Sequence, residues 1–219
     1  MGRDGVAIAL SFVVVLAVVG LAEALRRSGR ISFDLSRKII HVGVGTWIVP
    51  TVLLFERAWA AALPPARCVL LNLASRRLGL VRAMEEEAGD NRGTVLFPLS
   101  FVILILLFWN LEGGRAALAA GILVLAWGDA AAALVGRRWG RHRYRVGTGW
   151  RSIEGSIAMF VLSVVAIIAV GFWVGASPYP FPIILLAAAV ATLLEAGSRW
   201  GMDNLLVPLG TTVLLWGLG

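Results

Sequence analysis

The feature that most constrains this chain is a series of long apolar runs that recurs along the whole sequence. At 1.5 Å per residue, a run of about 18 residues or more is long enough to cross a hydrocarbon core about 30 Å thick. Hydrophobic residues make up 59% of the 219 residues and the mean hydropathy is +0.85. A soluble domain has roughly 45–50% apolar residues. The sequence therefore predicts an all-α, polytopic integral membrane helix bundle.

The apolar runs predict about eight transmembrane helices, or seven if the short last run does not span the bilayer. No linker or low-complexity tract separates them, so we expect a single domain over residues 1–219. Pro64 and Pro65 lie inside the third run and are expected to break or kink its helix. The runs lie at residues 5–25, 39–55, 58–75, 94–110, 116–135, 155–174, 182–197 and 203–218.

The positive charges are concentrated in every second loop between the runs. Of the 20 lysines and arginines, 16 lie in residues 26–38, 76–93, 136–152 and 198–202. By the positive-inside rule, we expect a multi-pass protein of the plasma membrane whose basic loops face the cytoplasm. This topology, together with contacts to anionic lipid headgroups, accounts for the net charge of +7. We therefore expect no nucleic-acid partner.

Ionisable and amide side chains gather at the predicted cytoplasmic ends of the helices, where burial is costly unless they are paired or used. Asp129 stands out because it ends a long uncharged apolar run. The pattern predicts a polar site at the cytoplasmic membrane boundary. Its members are Arg37, Lys38, His41, Asn72, Asp129, Glu154, Glu195, Asp203 and Asn204.

These residue types suit a phosphorylated substrate together with a divalent cation. Mg²⁺ prefers carboxylate and amide oxygens, and arginine and lysine neutralise polyphosphates. The GTG segment at 147–149 leaves the backbone free to approach an anion, although the P-loop pattern is absent. The predicted metal ligands are Asp129, Glu154, Asp203 and Asn204, and the predicted phosphate-binding residues include Arg37, Lys38, Arg141 and Arg151. At the membrane boundary, such a set fits a nucleotide that reacts with a lipid headgroup or a lipid alcohol.

Several of these residues also have purely structural interpretations. His41 is compatible with a packed polar residue on an apolar helix. Glu195 and Arg199 are four residues apart, as in a surface ion pair that contributes little to stability. Gly128, Gly136 and Gly140, with the alanine run at 130–133, are more typical of a close helix-packing face than of a ligand-binding loop.

Four segments in order resemble the phytol kinase and dolichol kinase family of CTP-dependent polyprenol kinases. That family includes CTP-dependent diacylglycerol kinase and is more distantly similar to phosphatidate cytidylyltransferase. The resemblance runs from about residue 36 to residue 212. The segments are SRKIIHVGVG at 36–45, GDAAAALVGRRWGRH at 128–142, WRSIEGSIAMF at 150–160 and MDNLLVPLGT at 202–211.

The resemblance implies transfer of the CTP γ-phosphate to the hydroxyl of an isoprenoid alcohol in the membrane, such as phytol, geranylgeraniol or a similar polyprenol. It adds Ser152 and Gly155 to the expected nucleotide-binding residues. Arg151 stands where the family usually has lysine, which suits phosphate binding better than proton transfer. The expected cofactor is Mg²⁺. The candidate catalytic residues are His41, Asp129 and Asp203, with Asn72 and Glu195 expected near the substrate.

Two other functions stay open at this point. A cytidylyltransferase that makes a CDP-lipid would release pyrophosphate, but the C-terminal signature of that family is missing. A non-enzymatic transporter or lipid-binding membrane protein is less consistent with acids at the membrane boundary than with acids at mid-span. The expected partners are a membrane lipid alcohol and a nucleotide, and the oligomeric state stays open, a homodimer included.

Overall fold

The computed structural model describes residues 2–78, 92–146, 149–175 and 179–219. Within these ranges the chain forms nine helices and one short antiparallel hairpin, which confirms the all-α prediction. The helices are α1 Arg3–Arg27, α2 Phe33–Thr46, α3 Ile48–Leu54, α4 Ala58–Leu78, α5 Gly93–Phe108, α6 Gly114–Trp139, α7 Ile153–Val174, α8 Phe181–Gly197 and α9 Asp203–Leu218. The hairpin strands, between α6 and α7, are β1 Arg143–Val146 and β2 Gly149–Ser152.

Each of the eight apolar runs is helical, but the helices differ in length. Four helical stretches are long and apolar enough to cross a membrane: Arg3–Arg27, Phe33–Leu54, Gly114–Trp139 and Ile153–Val174. The helices α5, α8 and α9 are also apolar but have only 16 or 17 residues. At 1.5 Å per residue they cover about 24–26 Å, so crossing requires a thinned bilayer or flanking residues.

Large apolar side chains cover the outside of the bundle. Leu16, Phe172 and Leu193 are 69%, 82% and 71% exposed. Water-soluble proteins rarely expose apolar patches of this extent, whereas lipid tails solvate them. The exposed apolar surface therefore fits a membrane protein.

A helix interruption lies at a different place from the break predicted at the proline pair. The predicted break at Pro64 and Pro65 does not occur, because α4 continues through both residues. The interruption lies at Trp47, between α2 and α3. Pro50 has no N–H to donate to the carbonyl of Thr46, so the hydrogen-bond ladder is weakened at this point.

Helix α6 is the centre of the bundle. It contacts α2, α3, α5, α7, α8 and α9, and residues 116–126 are all buried. A Cβ atom on Gly121 would lie 2.6 Å from the carbonyl oxygen of Pro208, and one on Gly128 would lie 2.4 Å from Met159 Sδ. Small residues thus let α9 and α7 approach α6 closely, which confirms the predicted packing role of Gly128.

The hairpin closes one end of the bundle beside α6 and α7. Its register pairs Tyr144 with Arg151, and Tyr144 Oη lies 2.7 Å from Ser156 Oγ on α7. At the same end, Arg137 Nη2 of α6 lies 2.9 Å from Asp34 Oδ2 of α2. The start of α2, the end of α6 and the hairpin are therefore held together there.

Candidate active site

A partly buried ion pair between α2 and α6 forms the centre of the site. Lys38 Nζ donates a hydrogen bond to Asp129 Oδ2 at 2.5 Å. The two side chains are 23% and 13% exposed. Each charge compensates the other in a place where an isolated charge would be expensive to bury.

His41 lies beside this pair, one helical turn after Arg37 on α2. Its Nε2 is 3.7 Å from Asp129 Oδ2, and its ring stacks on Phe97 with centroids 3.9 Å apart. Within the described ranges, Nε2 is buried and has no hydrogen-bond partner. Leaving a buried polar atom unpaired costs about 1–3 kcal/mol, so this atom is suited to a partner that arrives with a substrate.

A second ion pair links the hairpin to α8. Arg151 Nε lies 3.4 Å from Glu195 Oε1, and Glu195 is only 3% exposed. The sequence had suggested a pair between Glu195 and Arg199. That pair does not form, because α8 ends at Gly197 and Arg199 therefore leaves the helix face that carries Glu195.

Two adjoining cavities open around these ion pairs, with volumes of about 570 and 300 Å³. Both are lined by Lys38, Asp129, Trp150 and Arg151, so these four side chains lie between them. The described residues that line only the larger cavity are Asp34, Arg37, His41, Val146, Gly149, Ser198, Arg199, Trp200, Gly201, Asp203 and Asn204. Those that line only the smaller cavity are Ala132, Ala133, Gly136, Arg137, Arg143, Ser152, Gly155, Ser156 and Glu195.

Most of the residues nominated from the sequence lie at these cavities. The larger cavity brings together the cations and acids of α2, α6, the hairpin and α9, and the smaller cavity takes in residues of α7 and α8. The nominated residues at the two cavities are Arg37, Lys38, His41, Asp129, Arg151, Ser152, Gly155, Glu195, Asp203 and Asn204. Their individual roles stay predictions.

Three nominated residues do not line either cavity. Glu154, a predicted metal ligand, accepts hydrogen bonds from the backbone N–H of His142 at 3.2 Å and pairs with its Nδ1 at 2.8 Å. Asn72 Nδ2 donates to the carbonyl of Thr94 at 2.7 Å and so joins α4 to α5. Arg141 is exposed between α6 and β1. The contacts of Glu154 and Asn72 in this structure are therefore local ones, and the roles expected for these three residues stay predictions.

Ser152 and Gly155 have structural tasks at the start of α7. Ser152 Oγ accepts a hydrogen bond from the N–H of Gly155 at 3.1 Å and caps the helix. A Cβ atom on Gly155 would lie 2.8 Å from the carbonyl oxygen of Ala132, so glycine lets α7 approach α6. Of the GTG segment, residues 147 and 148 lie outside the described residues, and Gly149 lines the larger cavity.

Sequence reasoning missed several residues at the larger cavity, including Asp34, Trp150 and Trp200. Trp150 is adjacent to the nominated Arg151, and this adjacency was the one available signal. Trp200 has a φ of +52°, a backbone conformation that no sequence pattern indicated. Its position depends on the turn between α8 and α9.

The donor set suits a magnesium ion that is bound together with a phosphate. Asp129, Asp203 and Asn204 line the same cavity. Asn204 Nδ2 donates to the carbonyl of Gly201 at 3.2 Å, which leaves its amide oxygen for a ligand. Among the described residues, no three His, Cys, Asp or Glu side chains form a ready metal cluster. Mg²⁺ commonly needs only one or two carboxylates, with water and phosphate oxygens as its other ligands.

Comparison with known proteins connects this site to a family. No family profile matches the chain, and no solved structure matches it. The phytol kinase of Synechocystis sp. is 35% identical over 212 residues, which cover 96% of this chain and 91% of that protein. A probable chloroplastic phytol kinase of Triticum aestivum is 28% identical over 97% of this chain and 76% of its own length.

A third relative differs in the lipid that its name gives. The CTP-dependent diacylglycerol kinase 1 of Schizosaccharomyces pombe is 27% identical over 66% of this chain and 68% of its own length. The names phytol kinase and diacylglycerol kinase both describe kinases that phosphorylate the hydroxyl of a lipid. With 35% identity over nearly the full length of both chains, the protein belongs to the phytol kinase family and is a lipid-alcohol kinase, a phosphotransferase.

Proposed function

We propose that this protein transfers the γ-phosphate of CTP to the hydroxyl of an isoprenoid alcohol that is dissolved in the membrane. The observation that carries the proposal is the partly buried Lys38–Asp129 pair between two cavities at one end of an apolar helix bundle. The name of the Synechocystis relative supports phytol or a similar alcohol as the acceptor. The name of the yeast relative supports CTP as the donor.

The two cavities divide the reactants in this proposal. The larger one receives the triphosphate, because Arg37, Lys38, Arg151 and Arg199 line it. The smaller one receives the hydroxyl end of the alcohol, because it adjoins the larger one at Lys38 and Asp129, where the phosphate is transferred in this proposal. The Lys38–Asp129 pair then lies where the two reactants meet.

The chemical step is an in-line displacement at phosphorus. The alcohol oxygen forms a bond to the γ-phosphorus, the bond from that phosphorus to the β,γ-bridging oxygen breaks, and CDP leaves. Phosphoryl transfer depends mainly on positioning and on neutralisation of charge. We assign the hydroxyl proton to His41 Nε2, the buried nitrogen without a hydrogen-bond partner near Asp129.

Asp129, Asp203 and Asn204 are the residues that would hold Mg²⁺ together with the triphosphate. The ion supplies charge neutralisation at the phosphate oxygens when it is bound. Lys38, which pairs with Asp129 in this structure, would turn its ammonium group to the phosphates when they bind. The chain's own cations and acids therefore exchange partners when the substrate arrives.

In this proposal, the site lies on the cytoplasmic side of the plasma membrane. The support is the concentration of 16 of 20 lysines and arginines in the loops at this end. CTP reaches such a site from the cytoplasm. The alcohol, whose hydroxyl lies at headgroup level, reaches it from within the bilayer.

The proposal is tested with the purified protein in liposomes, supplied with CTP and Mg²⁺ and a panel of phytol, geranylgeraniol, a longer polyprenol and diacylglycerol. We expect a lipid monophosphate and an equal amount of CDP, with an isoprenoid alcohol as the best acceptor. Release of pyrophosphate and formation of a CDP-lipid would indicate a cytidylyltransferase. Absence of any phosphorylated lipid would contradict the proposal.

A further inference from the structure

We propose that Trp150 and Trp200 form a stacking site for the nucleobase of the donor at the mouth of the larger cavity. This inference rests on the proposed function. It assigns binding residues to the nucleobase, the part of the nucleotide for which the charged residues provide no site. Both indole side chains line this cavity, one from the hairpin and one from the loop between α8 and α9.

Both tryptophans combine exposure with a position at the cavity. Trp150 is 64% exposed and Trp200 is 66% exposed, and both line the larger cavity. Apart from His41, which is stacked on Phe97, they are the aromatic side chains among the described residues that line it. Two large indole rings with open faces therefore lie beside a cation-lined cavity.

The backbone at Trp200 gives a second, independent indication. Trp200 and Gly201 have φ values of +52° and +78°, and the N–H of Met202 donates to the carbonyl of Arg199 at 2.9 Å. This is a tight turn of the I′ kind, in which glycine and asparagine are the usual residues. A bulky residue with positive φ is an outlier, and such strain is typically kept at binding sites.

The turn that carries this strain is held in place. The N–H of Arg92, at the start of α5, donates to the carbonyl of Trp200 at 3.3 Å. The indole is therefore presented by an anchored backbone. Packing does not explain the residue type, because most of the side chain is exposed.

The charge distribution of the cavity orients the nucleotide. Lys38, Asp129 and Arg151 lie at the wall shared with the smaller cavity, and Trp150 borders that wall, whereas Trp200 lines the larger cavity alone. Both indole side chains have most of their surface exposed. The triphosphate belongs with the charged wall and the base with the indole faces. Base–aromatic stacking is tolerant of base identity, so this site supplies affinity for the nucleotide and does not select cytosine.

Exposed tryptophans also anchor proteins at membrane surfaces, and the chain offers a control for that role. Trp139 ends α6 at the same end of the bundle, is 59% exposed and lines neither cavity. If these residues only anchor the protein in the membrane, substitutions of all three tryptophans should have similar effects. If Trp150 and Trp200 bind the nucleobase, only their substitution should raise the KM for CTP, and substitution of Trp139 should not.

The sharpest variant is Trp200→Gly, which removes the ring and also relieves the positive φ. We expect an equal or higher melting temperature, so a loss of function cannot be attributed to unfolding. In liposomes, the KM for CTP should rise about 5- to 150-fold, the change that corresponds to the roughly 1–3 kcal/mol of one stacked base, with little change in kcat. Trp150→Ala should behave similarly, and Trp139→Ala should leave the KM for CTP unchanged.

Competition experiments separate base stacking from damage to the phosphate site. Inorganic tripolyphosphate has no base, so its inhibition constant should be the same in Trp200→Gly and the wild type. UTP should lose as much affinity as CTP. Equal weakening of tripolyphosphate, or a rise only in the KM for the alcohol, would overturn the proposal.

Direct binding distinguishes this proposal from the proposed function. CTP binding is measured by calorimetry beside turnover. A wild type that phosphorylates lipid while both tryptophan variants bind CTP normally overturns the stacking site alone. A wild type that binds CTP and forms no lipid monophosphate overturns the proposed reaction, while a weaker affinity in Trp200→Gly would still support the stacking site. A wild type that does not bind CTP overturns both.

Discussion

At the scale of single residues, the site depends on how a few partly buried charges compensate one another. Asp129 accepts a hydrogen bond from Lys38 and lies 3.7 Å from His41 Nε2. Removing one partner of a buried ion pair leaves an uncompensated charge and typically costs about 3–5 kcal/mol. Variants here must therefore be judged on folding as well as on activity.

We expect Asp129→Asn to lower kcat by about 10²- to 10⁴-fold in the liposome assay, because charge-stabilising groups at a reacting centre contribute on that scale. The amide keeps the volume and can still accept a hydrogen bond from Lys38. Size-exclusion chromatography in detergent checks that the variant is folded. The control is Glu23→Gln, whose carboxylate pairs with Arg26 at the end of α1 and lines neither cavity. Near-normal turnover of Asp129→Asn would show that the Asp129 carboxylate is not needed for the reaction.

His41→Gln tests the assignment of the proton acceptor. We expect kcat to fall about 10²- to 10⁴-fold, the usual contribution of a general base, while the KM for CTP changes little. The control is His142→Gln, because His142 is 75% exposed, pairs with Glu154 and lines neither cavity. A kcat within tenfold of the wild type would contradict this assignment and leave Asp129 or Asp203 as the group that accepts the hydroxyl proton.

At the scale of secondary-structure elements, α6 determines where the functional side chains meet. It contacts α2, α7, α8 and α9, which carry most of the other nominated residues. Glycines on α6 set the distances, because side chains there would push the neighbouring helices away. The precision of the site therefore depends on residues that never touch a substrate.

Gly121→Ala should destabilise the protein and weaken its activity together. Its Cβ would lie 2.2 Å from Thr212 Oγ1 and 2.6 Å from the carbonyl oxygen of Pro208, so α9, which begins at Asp203, must shift. Overpacking of this kind typically costs about 1–3 kcal/mol. The matched control is Gly171→Ala on α7, where a Cβ would meet nothing within 4 Å. Thermal unfolding in detergent should show a lower midpoint for Gly121→Ala only.

At the scale of the whole molecule, the two ends of the bundle differ in chemistry. One end carries the cavities and the basic loops. At the other end, Arg115 donates to the carbonyl of Glu56 at 3.2 Å, and its guanidinium lies 4.4 Å from the centroid of the Trp109 ring. The distribution of positive charge between these ends predicts the orientation in the membrane.

Cysteine labelling tests that orientation. In a Cys68→Ala background, Arg145→Cys should resist an impermeant maleimide added to intact cells and react after the cells are opened. Glu112→Cys, at the opposite end, should react in intact cells. Both positions are exposed, so accessibility does not explain a difference. Labelling of residue 145 from outside would reverse the proposed topology.

Part of the site was predictable because the signals are local. His41 and Arg37 share a helix face by their spacing, and the positions of Lys38, Asp129 and Asp203 at the ends of apolar runs nominated them before the resemblance of short segments did. The structure brings these residues to one cavity. Glu154 was nominated from the same segments, but its carboxylate pairs with His142, because the hairpin folds back onto the start of α7.

The sequence by itself determined the membrane-helix class, the eight apolar runs and the clustering of polar residues at one end, because hydropathy and loop charge act along the chain. Tertiary structure decided which partners meet: Glu195 with Arg151 instead of Arg199, and Asn72 with the backbone of Thr94. It also decided that Trp200 adopts a left-handed backbone beside the cavity. Such contacts depend on how closely separate helices approach, and that distance is set by packing against α6.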